Sequence, residues 1–229
     1  MEIKPVAYFH SPIGGKFGIP RQPGLAPSLK GEIVLEPEIK SPDILRGLDE
    51  FDFIWLIWEF NLNKEGNGAA STVRPPRLGG NKRIGIFASR SPYRPNRLGL
   101  SSAKIESIDE ASGIISVSGA DLADGTPIYD IKPYVAYSDS HPDAKGGFTD
   151  TVDWKPLKVS FRADINRLLT DDELKTLEEI LSQDPRPQYH NDPERVYGME
   201  FKGRNIRFTV NGEQLDVLSA DYLESVDVM

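Results

Sequence analysis

The chain has 229 residues, of which 38% are hydrophobic, and this length suits one large domain or two small ones. It carries 35 Asp and Glu against 27 Lys and Arg, with no cysteine and three scattered histidines. This composition excludes a disulfide framework and a thiolate metal site, and we expect no metal. No apolar run approaches the roughly 20 residues that span a bilayer, and the first residues lack a signal-peptide pattern. We therefore expect a cytoplasmic protein with no membrane segment.

The first 135 residues contain most of the predicted strands, joined by connections that contain Gly and Pro. A strand over 2–9 is followed by a Gly/Pro-rich loop over 13–31, and loops of this length are uncommon unless functional. The segment FDFIWLIWEF (51–60) is typical of a strand buried on both faces, although its pattern alone leaves a buried helix open. Further strands are predicted at GEIVLEP (31–37), RIGIFAS (83–89), SSAKIESID (101–109) and GIISVSGAD (113–121). This arrangement favours a closed or nearly closed β-barrel.

The composition changes after this region. A polar linker is predicted over 138–154, followed by a strand within KPLKVSFRAD (155–164). Thr170 and Glu173 have the spacing of a capping box at the start of a helix that ends before a proline. Two more strands flank Asn211-Gly212, a strong signal for a type I′ turn. We expect a mainly β protein, with a β-barrel domain over residues 1–140 and a small α+β C-terminal domain over residues 155–229.

Positive charge is concentrated in one segment of this acidic chain. Residues 66–105 contain no Asp or Glu and eight cations: Arg74, Arg77, Lys82, Arg83, Arg90, Arg94, Arg97 and Lys104. Such a distribution suits a polyanion, because Lys and Arg displace counterions from phosphates. The part RPPRLGG (74–80) is nearly as compatible with a solvated loop as with nucleic-acid contact.

Within this segment, GIFASRSPYRPNRLG (85–99) contains the candidate binding loop. Two prolines stiffen it, and Arg90 and Arg94 lie four residues apart around them. Guanidinium groups held in this way bind carboxylate or phosphate through paired hydrogen bonds. The alternative is that Arg90 pairs with a structural aspartate.

A second motif, ADLADGTPIYDIKPY (120–134), places Asp121, Asp124 and Asp130 within ten residues. These carboxylates could orient hydroxyl groups, attract a cationic ligand or act as a base. The alternative is a simple turn with an aspartate partner for the arginine loop. The chain has no GxGxxG after a strand and no GxxxxGK[ST], so neither common nucleotide-binding motif is indicated. The region 184–201 is either a substrate-facing loop or a rigid connector.

These strings resemble the TsaA-like family of β-barrel tRNA adenosine N6-methyltransferases called TrmO. The resemblance covers almost the whole chain and rests on motifs in the family's order: RQPGL (21–25), TVRPPRLGG (72–80), GIFASRSPYRPNRLG (85–99), DLADGTPIYDIKPY (121–134) and DPRPQY (184–189). It implies a small β-barrel that binds S-adenosylmethionine without a Rossmann sheet, followed by a small C-terminal domain. It also implies a homodimer with the cofactor near the subunit interface. The implied substrate is tRNA carrying N6-threonylcarbamoyladenosine just 3′ of the anticodon.

The resemblance also implies which residues contact the cofactor. The positions that match are Ser11, Pro12, Ile13, Arg90, Leu100, Asp121, Leu122, Ala123, Asp124, Gly125, Thr126 and Pro127. Two departures stand out. Family members often carry a histidine two residues before the strand tryptophan, where this chain has Asp52 and Phe53, and Phe53 can still pack on the adenine. Arg97 stands where proline is common, and this change adds a possible phosphate contact.

Methyl transfer from a sulfonium requires mainly alignment of donor and acceptor, which agrees with the absence of cysteine. We hypothesise that Asp124 or Asp130 assists proton removal from N6 and that Arg90 or Arg94 holds the threonyl carboxylate. The expected tRNA contacts are Arg74, Arg77, Lys82, Arg83, Arg94 and Arg97. Two other functions remain open from sequence: a non-catalytic RNA-binding module, and a hydrolase that uses an aspartate pair.

Overall fold

The computed structural model describes residues 2–63, 71–75, 78, 82–152, 154–186 and 192–223. The described residues divide into two compact units. The first unit lies within Met1–Phe9, Glu32–Val117 and Gly125–Lys155, and the second within His10–Gly31, Ser118–Asp124 and Pro156–Met229. The chain therefore passes between the two units several times.

Six strands close into a barrel, in the order β1-β2-β7-β6-β3-β8, with β8 paired to β1. This finding confirms the predicted barrel. The strands are β1 (Ala7–His10), β2 (Lys30–Leu35), β3 (Phe53–Glu59), β6 (Leu98–Asp109), β7 (Ile114–Ser118) and β8 (Thr126–Pro133). Between them lie the short helix α1 (Pro42–Leu45), capped by Ser41, and the two-stranded pair β4 (Thr72–Val73) and β5 (Ile84–Gly85). Helix α2 (Ala136–Asp139) follows β8.

Strand β3 forms where the apolar run predicts it, but it is buried on one face only. Ile54, Leu56 and Trp58 are buried, whereas the alternate Phe53 is 41% exposed. The expectation of burial on both faces is therefore wrong, because an antiparallel sheet with one open side produces alternation even in an all-apolar segment. The indole of Trp58 is buried and donates to Ser101 Oγ at 2.9 Å.

Two other elements differ from the sequence expectations. The predicted strand over 83–89 is reduced to β5, because the chain turns into a single 3-10 turn at Ile86–Ala88. Conversely, β8 extends through a motif in which only a turn was predicted. β8 forms because it pairs with β1 and β3, and such long-range pairing is not visible in the strand propensity of its own residues.

The second unit contains a four-stranded sheet in the order β10-β11-β12-β9 and one long helix. Its elements are β9 (Lys158–Phe161), α3 (Asp171–Ser182), β10 (Tyr197–Phe201), β11 (Arg204–Asn211) and β12 (Gln214–Tyr222). Leu177, Ile180 and Leu181 of α3 belong to the same buried core as the sheet residues Phe208 and Val217. The Gly/Pro-rich segment 13–31 contributes Ile13, Ala26 and Leu29 to that core.

Helix α3 confirms the predicted capping box. The Thr170 Oγ1 accepts from the Glu173 backbone N–H, and the Glu173 carboxylate accepts from the Thr170 N–H. Of the helices that the described residues form, none has the length and apolar character needed to cross a lipid bilayer.

The turn between β11 and β12 differs in type from the sequence expectation. Asn211 pairs with Gln214, so the loop residues are Gly212 and Glu213, and of these only Gly212 has a positive φ, 58°. A type I′ turn needs positive φ at both central residues, so this turn is not type I′. That requirement is met instead between β10 and β11, where Lys202 and Gly203 have φ of 49° and 70°. The strand β10 itself was not predicted.

Candidate functional site

The turn that follows β1 is held by one carboxylate oxygen. Asp124 Oδ1 accepts from the Ser11 backbone N–H at 3.0 Å, and His10 Nδ1 lies 3.3 Å from the same oxygen. Ser11 Oγ accepts from the Ile13 N–H, and the Asp124 N–H donates back to the Ile13 carbonyl. The side chain of Asp124 is 45% exposed. The second unit therefore brings together Ser11, Ile13 and Asp124. Ser11 and Asp124 are 113 residues apart in sequence.

The burial of the expected cofactor contacts separates them into two groups. Ile13, Leu122 and Ala123 are buried, as are Thr126 and Pro127. Ser11, Pro12 and Asp121 are partly exposed, and Asp124 and Gly125 are exposed. A ligand on the surface can reach the side chains of the second group directly, whereas the buried side chains of the first group are not accessible to it.

In the first unit, the start of β8 is held by Asn61. The Asn61 side-chain amide donates to the Gly125 carbonyl at 3.3 Å, and its Oδ1 lies 3.5 Å from the Thr126 hydroxyl. The Gly125 N–H donates to the Phe9 carbonyl at 2.8 Å, and Gly125 has φ of 71°. Asn61 was not singled out from sequence, because nothing in its local pattern signals contacts 64 residues away.

The arginine loop is organised by Arg94. Its Nη1 donates to the Ser89 carbonyl at 2.7 Å and more weakly to the Ile86 carbonyl at 3.4 Å. Its guanidinium carbon lies 5.8 Å from the centroid of the Phe87 ring. Ser89 closes the turn through its own N–H and hydroxyl, both bonded to the Ile86 carbonyl. Arg90, in the same loop, is exposed.

Arg97 takes part in a charged network with two barrel strands. Its Nη2 lies 2.8 Å from Glu59 Oε1, and the Tyr129 hydroxyl donates to Glu59 Oε2 at 2.6 Å. The hydrogen bond to Glu59, together with burial, raises the pKa of Tyr129 to about 12. Arg97 has φ of 51°, and its carbonyl accepts from the Phe60 N–H. The network joins the loop to β3 and β8, and neither Glu59 nor Tyr129 carried a sequence signal.

Three expected site residues, Leu100, Asp130 and Phe53, lie on the outer face of the barrel. Leu100 of β6 and Asp130 of β8 both pair with Ile57 of β3, so the three side chains form one cross-strand row. Neighbouring strands lie about 4.8 Å apart, which places Leu100 and Asp130 about 10 Å from each other. Phe53 lies on the same face of β3 and contacts the Tyr134 ring edge-on. Leu100 is 57% exposed, and Asp52, which precedes the strand, is exposed as well.

Asp130 itself is a surface carboxylate with near neighbours. Its Oδ2 lies 3.1 Å from Lys132 Nζ, and its Oδ1 accepts from the Ile131 N–H. The side chain is 47% exposed. The carboxylate is thus oriented by its neighbours while remaining accessible.

The expected tRNA contacts differ in their surroundings. Arg74, Lys82 and Arg83 are exposed in the first unit. Arg94 and Arg97 donate to groups of the protein, as described above, and Arg77 lies outside the described residues. The cations of this segment therefore divide into exposed charges and charges that also hold the loop.

The segment 184–186 is held by two arginines of the second unit. Arg186 contacts Asp184 through Nε at 2.8 Å and Nη2 at 2.9 Å, and Asp184 raises the pKa of the Arg186 guanidinium. Arg21 Nη2 donates to the carbonyls of Asp184 and Arg186. Both alternatives for 184–201 remain predictions, since residues 187–191 lie outside the described part of the chain.

The first unit has an exposed apolar face, the oriented carboxylate of Asp130 and exposed cations, and the second unit has the carboxylate of Asp124. Within the described ranges, no three His, Asp or Glu side chains come together as metal ligands would. Carboxylates and backbone groups suit the hydroxyl and amino groups of a small polar ligand, and the exposed apolar side chains suit a flat ring. The cations suit phosphate.

Comparisons with known proteins agree with this picture. Residues 8–140 match the family model of the tRNA-methyltransferase O N-terminal domain, and residues 154–222 match that of the TrmO C-terminal domain. The chain is 36% identical to a tRNA (adenine(37)-N6)-methyltransferase of Escherichia coli K12, over 96% of this chain and 97% of that protein. It is 38% identical to a putative S-adenosylmethionine-dependent methyltransferase of Pseudomonas aeruginosa, over 86% and 87% of the two chains. A crystal structure of TrmO from Pseudomonas aeruginosa superposes with a TM-score of 0.76 at 29% identity, covering 96% of this chain and 98% of that one.

Proposed function

The chain belongs to the tRNA-methyltransferase O family, and from this premise we propose its reaction and substrate. It is an S-adenosylmethionine-dependent tRNA adenine-N6 methyltransferase, and its proposed substrate nucleoside is N6-threonylcarbamoyladenosine next to the anticodon. The observation that carries the proposal is the end-to-end similarity to the Escherichia coli enzyme, which leaves neither unit of this chain unmatched.

The residues present fit S-adenosylmethionine. In the first unit, exposed Phe53 and Leu100 offer apolar surface to an adenine ring, and Asp52 offers a carboxylate. In the second unit, the turn held by Asp124 offers Ser11 and Pro12, and Asp121 offers a carboxylate. Ile13, Leu122 and Ala123 are buried in the same unit and support this turn. Thr126 and Pro127 are buried in the first unit, at the start of β8.

When bound, S-adenosylmethionine would supply an electrophilic methyl group, with the thioether S-adenosylhomocysteine as the leaving group. The chain contributes mainly alignment, which can lower a barrier by about 7–11 kcal/mol. The N6 proton must leave as the new N–C bond forms, and we assign its removal to Asp130. Its carboxylate is accessible and is oriented by Lys132 and the Ile131 N–H. Asp124, by contrast, uses Oδ1 to hold the turn at Ser11, which supports a positioning role.

Recognition of the threonylcarbamoyl group is assigned to Arg90. The group ends in a carboxylate, which a guanidinium binds well. Arg94 donates into its own loop, to Ser89 and Ile86, and is only partly exposed. Arg90, on the same stiffened segment, is exposed and so more accessible to a ligand. Arg94 therefore holds the loop that presents Arg90.

The remaining surfaces support the assembly and the tRNA contact that we propose. Lys82, Arg83 and Arg74 bind tRNA phosphates, and Arg77, Arg94 and Arg97 add to the positive field.

The apolar outer face that contains Phe53 and Leu100 supports a homodimer, because a monomer gains by covering such a patch. We propose residues 1–140 as the methyltransferase domain and 155–229 as a C-terminal domain. Because the substrate is tRNA, we place the protein in the cytoplasm.

The proposal is tested by transfer of a tritiated methyl group to tRNA. Purified protein is incubated with labelled S-adenosylmethionine and with tRNA from cells that do or do not make threonylcarbamoyladenosine. We expect incorporation with the first tRNA only. Equal incorporation into both would overturn the substrate. No incorporation, with tRNA binding retained and no S-adenosylmethionine binding by calorimetry, would instead identify an RNA-binding module.

A further inference from the structure

The most exposed aromatic side chain of the basic segment is Phe87, at 79% of its surface. A phenylalanine exposed to this extent gains by being covered. It lies in the Ile86–Ala88 turn, between the exposed cations Arg83 and Arg90. Nothing in the proposed methyl-transfer site assigns it a role.

Phe87 is held on a pre-organised support. The preceding Ile86 is buried at 5% exposure and anchors the turn. Arg94 bonds the Ile86 and Ser89 carbonyls, and its guanidinium lies 5.8 Å from the Phe87 ring centroid. A ring already placed by its backbone loses little conformational freedom when a ligand covers it, so its contact contributes fully to affinity.

The charge around the ring indicates which ligand covers it. The stretch 66–105, which contains Phe87, has eight cations and no acid, so this segment favours a polyanion over an acidic or neutral protein surface. Proteins that bind unpaired RNA combine cations for the phosphates with aromatic rings on which bases stack. The anticodon loop of tRNA is unpaired RNA of this kind.

We infer that Phe87 is a stacking platform for an unpaired base of the RNA substrate, a specificity residue that rests on the proposed tRNA function. The ring stacks on a base and forms no hydrogen bond with it. It therefore distinguishes an unpaired loop from a duplex more than it distinguishes one base from another. Lys82 and Arg83 then hold the backbone beside it.

The test compares Phe87→Ala, Phe87→Leu and Phe87→Trp for binding to threonylcarbamoylated tRNA and to a fully paired RNA duplex. Base stacking predicts that Ala and Leu weaken tRNA binding about 5- to 150-fold and raise the KM for tRNA, whereas Trp stays within about threefold of wild type. Duplex binding and S-adenosylmethionine affinity should not change in any variant. The matched control is Tyr137→Leu, which removes a ring that is 93% exposed in the same unit; it should leave tRNA binding unchanged.

Several results would overturn the inference. Wild-type tRNA affinity in Phe87→Leu would show that the ring face is not used. A change in solution mass for Phe87→Ala would show that a second copy of the chain covers the ring. Loss of S-adenosylmethionine affinity with tRNA affinity retained would show that the cofactor does. If the wild-type protein neither binds nor methylates tRNA, both the proposed function and this inference are wrong. If the wild-type protein is active and Phe87→Leu binds tRNA equally well, only this inference is wrong.

Discussion

Leu100 and Asp130 lie in one cross-strand row on the outer face of the barrel, on either side of Ile57. One is the most exposed apolar side chain of β6, and the other is an accessible carboxylate. The pairing of β6 and β8 with the same strand brings these two kinds of chemistry onto one surface. This juxtaposition supports Asp130 over Asp124 as the proton acceptor.

The two aspartates should respond differently to the same substitution. Asp130→Asn removes the proposed base and should lower kcat by on the order of 10²-fold or more, with little change in S-adenosylmethionine affinity. Asp124→Asn keeps an oxygen that can accept from the Ser11 N–H and should retain most of its activity. Asp124→Ala removes that acceptor and should weaken S-adenosylmethionine binding. Single-turnover kinetics and calorimetry measure the two effects, and full turnover by Asp130→Asn would remove that residue from the base role.

The Tyr129–Glu59 hydrogen bond should contribute stability that depends on alkaline pH. The folded pKa of Tyr129, about 12, lies above its ordinary value of 10.0. Folding therefore favours the neutral phenol, so the contribution is fully present below the unfolded pKa and is lost as pH rises through the folded one. Tyr129→Phe should reduce the free energy of unfolding by about 1 kcal/mol at about pH 8, because solvent weakens a hydrogen bond that is only partly buried.

Urea denaturation of both proteins measures this difference. It should shrink between about pH 8 and about pH 11, because the unfolded tyrosine ionises there while the folded one does not. Tyr137→Phe, at an exposed position, is the matched control and should show no difference at either pH. A Tyr129→Phe difference that stays constant with pH would contradict the role assigned to Glu59.

Gly99 should tolerate no side chain, because of its neighbour in the barrel core. A Cβ at this position would lie 2.3 Å from the Trp58 indole, which is itself held by Ser101. Gly99→Ala should therefore destabilise the protein by about 1–3 kcal/mol and change the Trp58 environment. Gly85→Ala is the control, since its Cβ would meet nothing within 4 Å and its φ is −59°. Thermal unfolding followed by near-ultraviolet circular dichroism separates the two, and equal melting temperatures would count against the close packing.

The salt dependence of tRNA binding should report the exposed cations. Lys82→Ala and Arg83→Ala should each reduce the slope of log K against log salt by about 0.7–0.9, the value for one neutralised phosphate. Arg162→Ala removes a similarly exposed cation of the second unit that pairs with Asp164, and it should leave the slope unchanged. Filter binding over a salt series provides the measurement. A wild-type affinity that does not vary with salt would exclude this surface from phosphate contact.

The parts of the fold that could be predicted are those that depend on neighbours in sequence. The capping box of α3 needs residues three apart, and the apolar run of β3 has a strand composition of its own. Strand β8 has no clear local signal, because its DGTP start has turn chemistry and its strand character comes from pairing with β1 and β3. The turn at Gly212 was assigned the wrong type because the register of β11 and β12 places Asn211 within the ladder.

The amino-acid sequence by itself determined the concentration of positive charge, the stiffened arginine loop and the family resemblance, because these are properties of residues that follow one another. Only the tertiary structure decided that Asp124 holds the turn at Ser11, that Arg97 joins Glu59 and Tyr129, and that Leu100 and Asp130 share a row. Each of these relationships joins residues distant in sequence, so it exists only once the chain has folded. The two in the barrel also depend on the register of its strands.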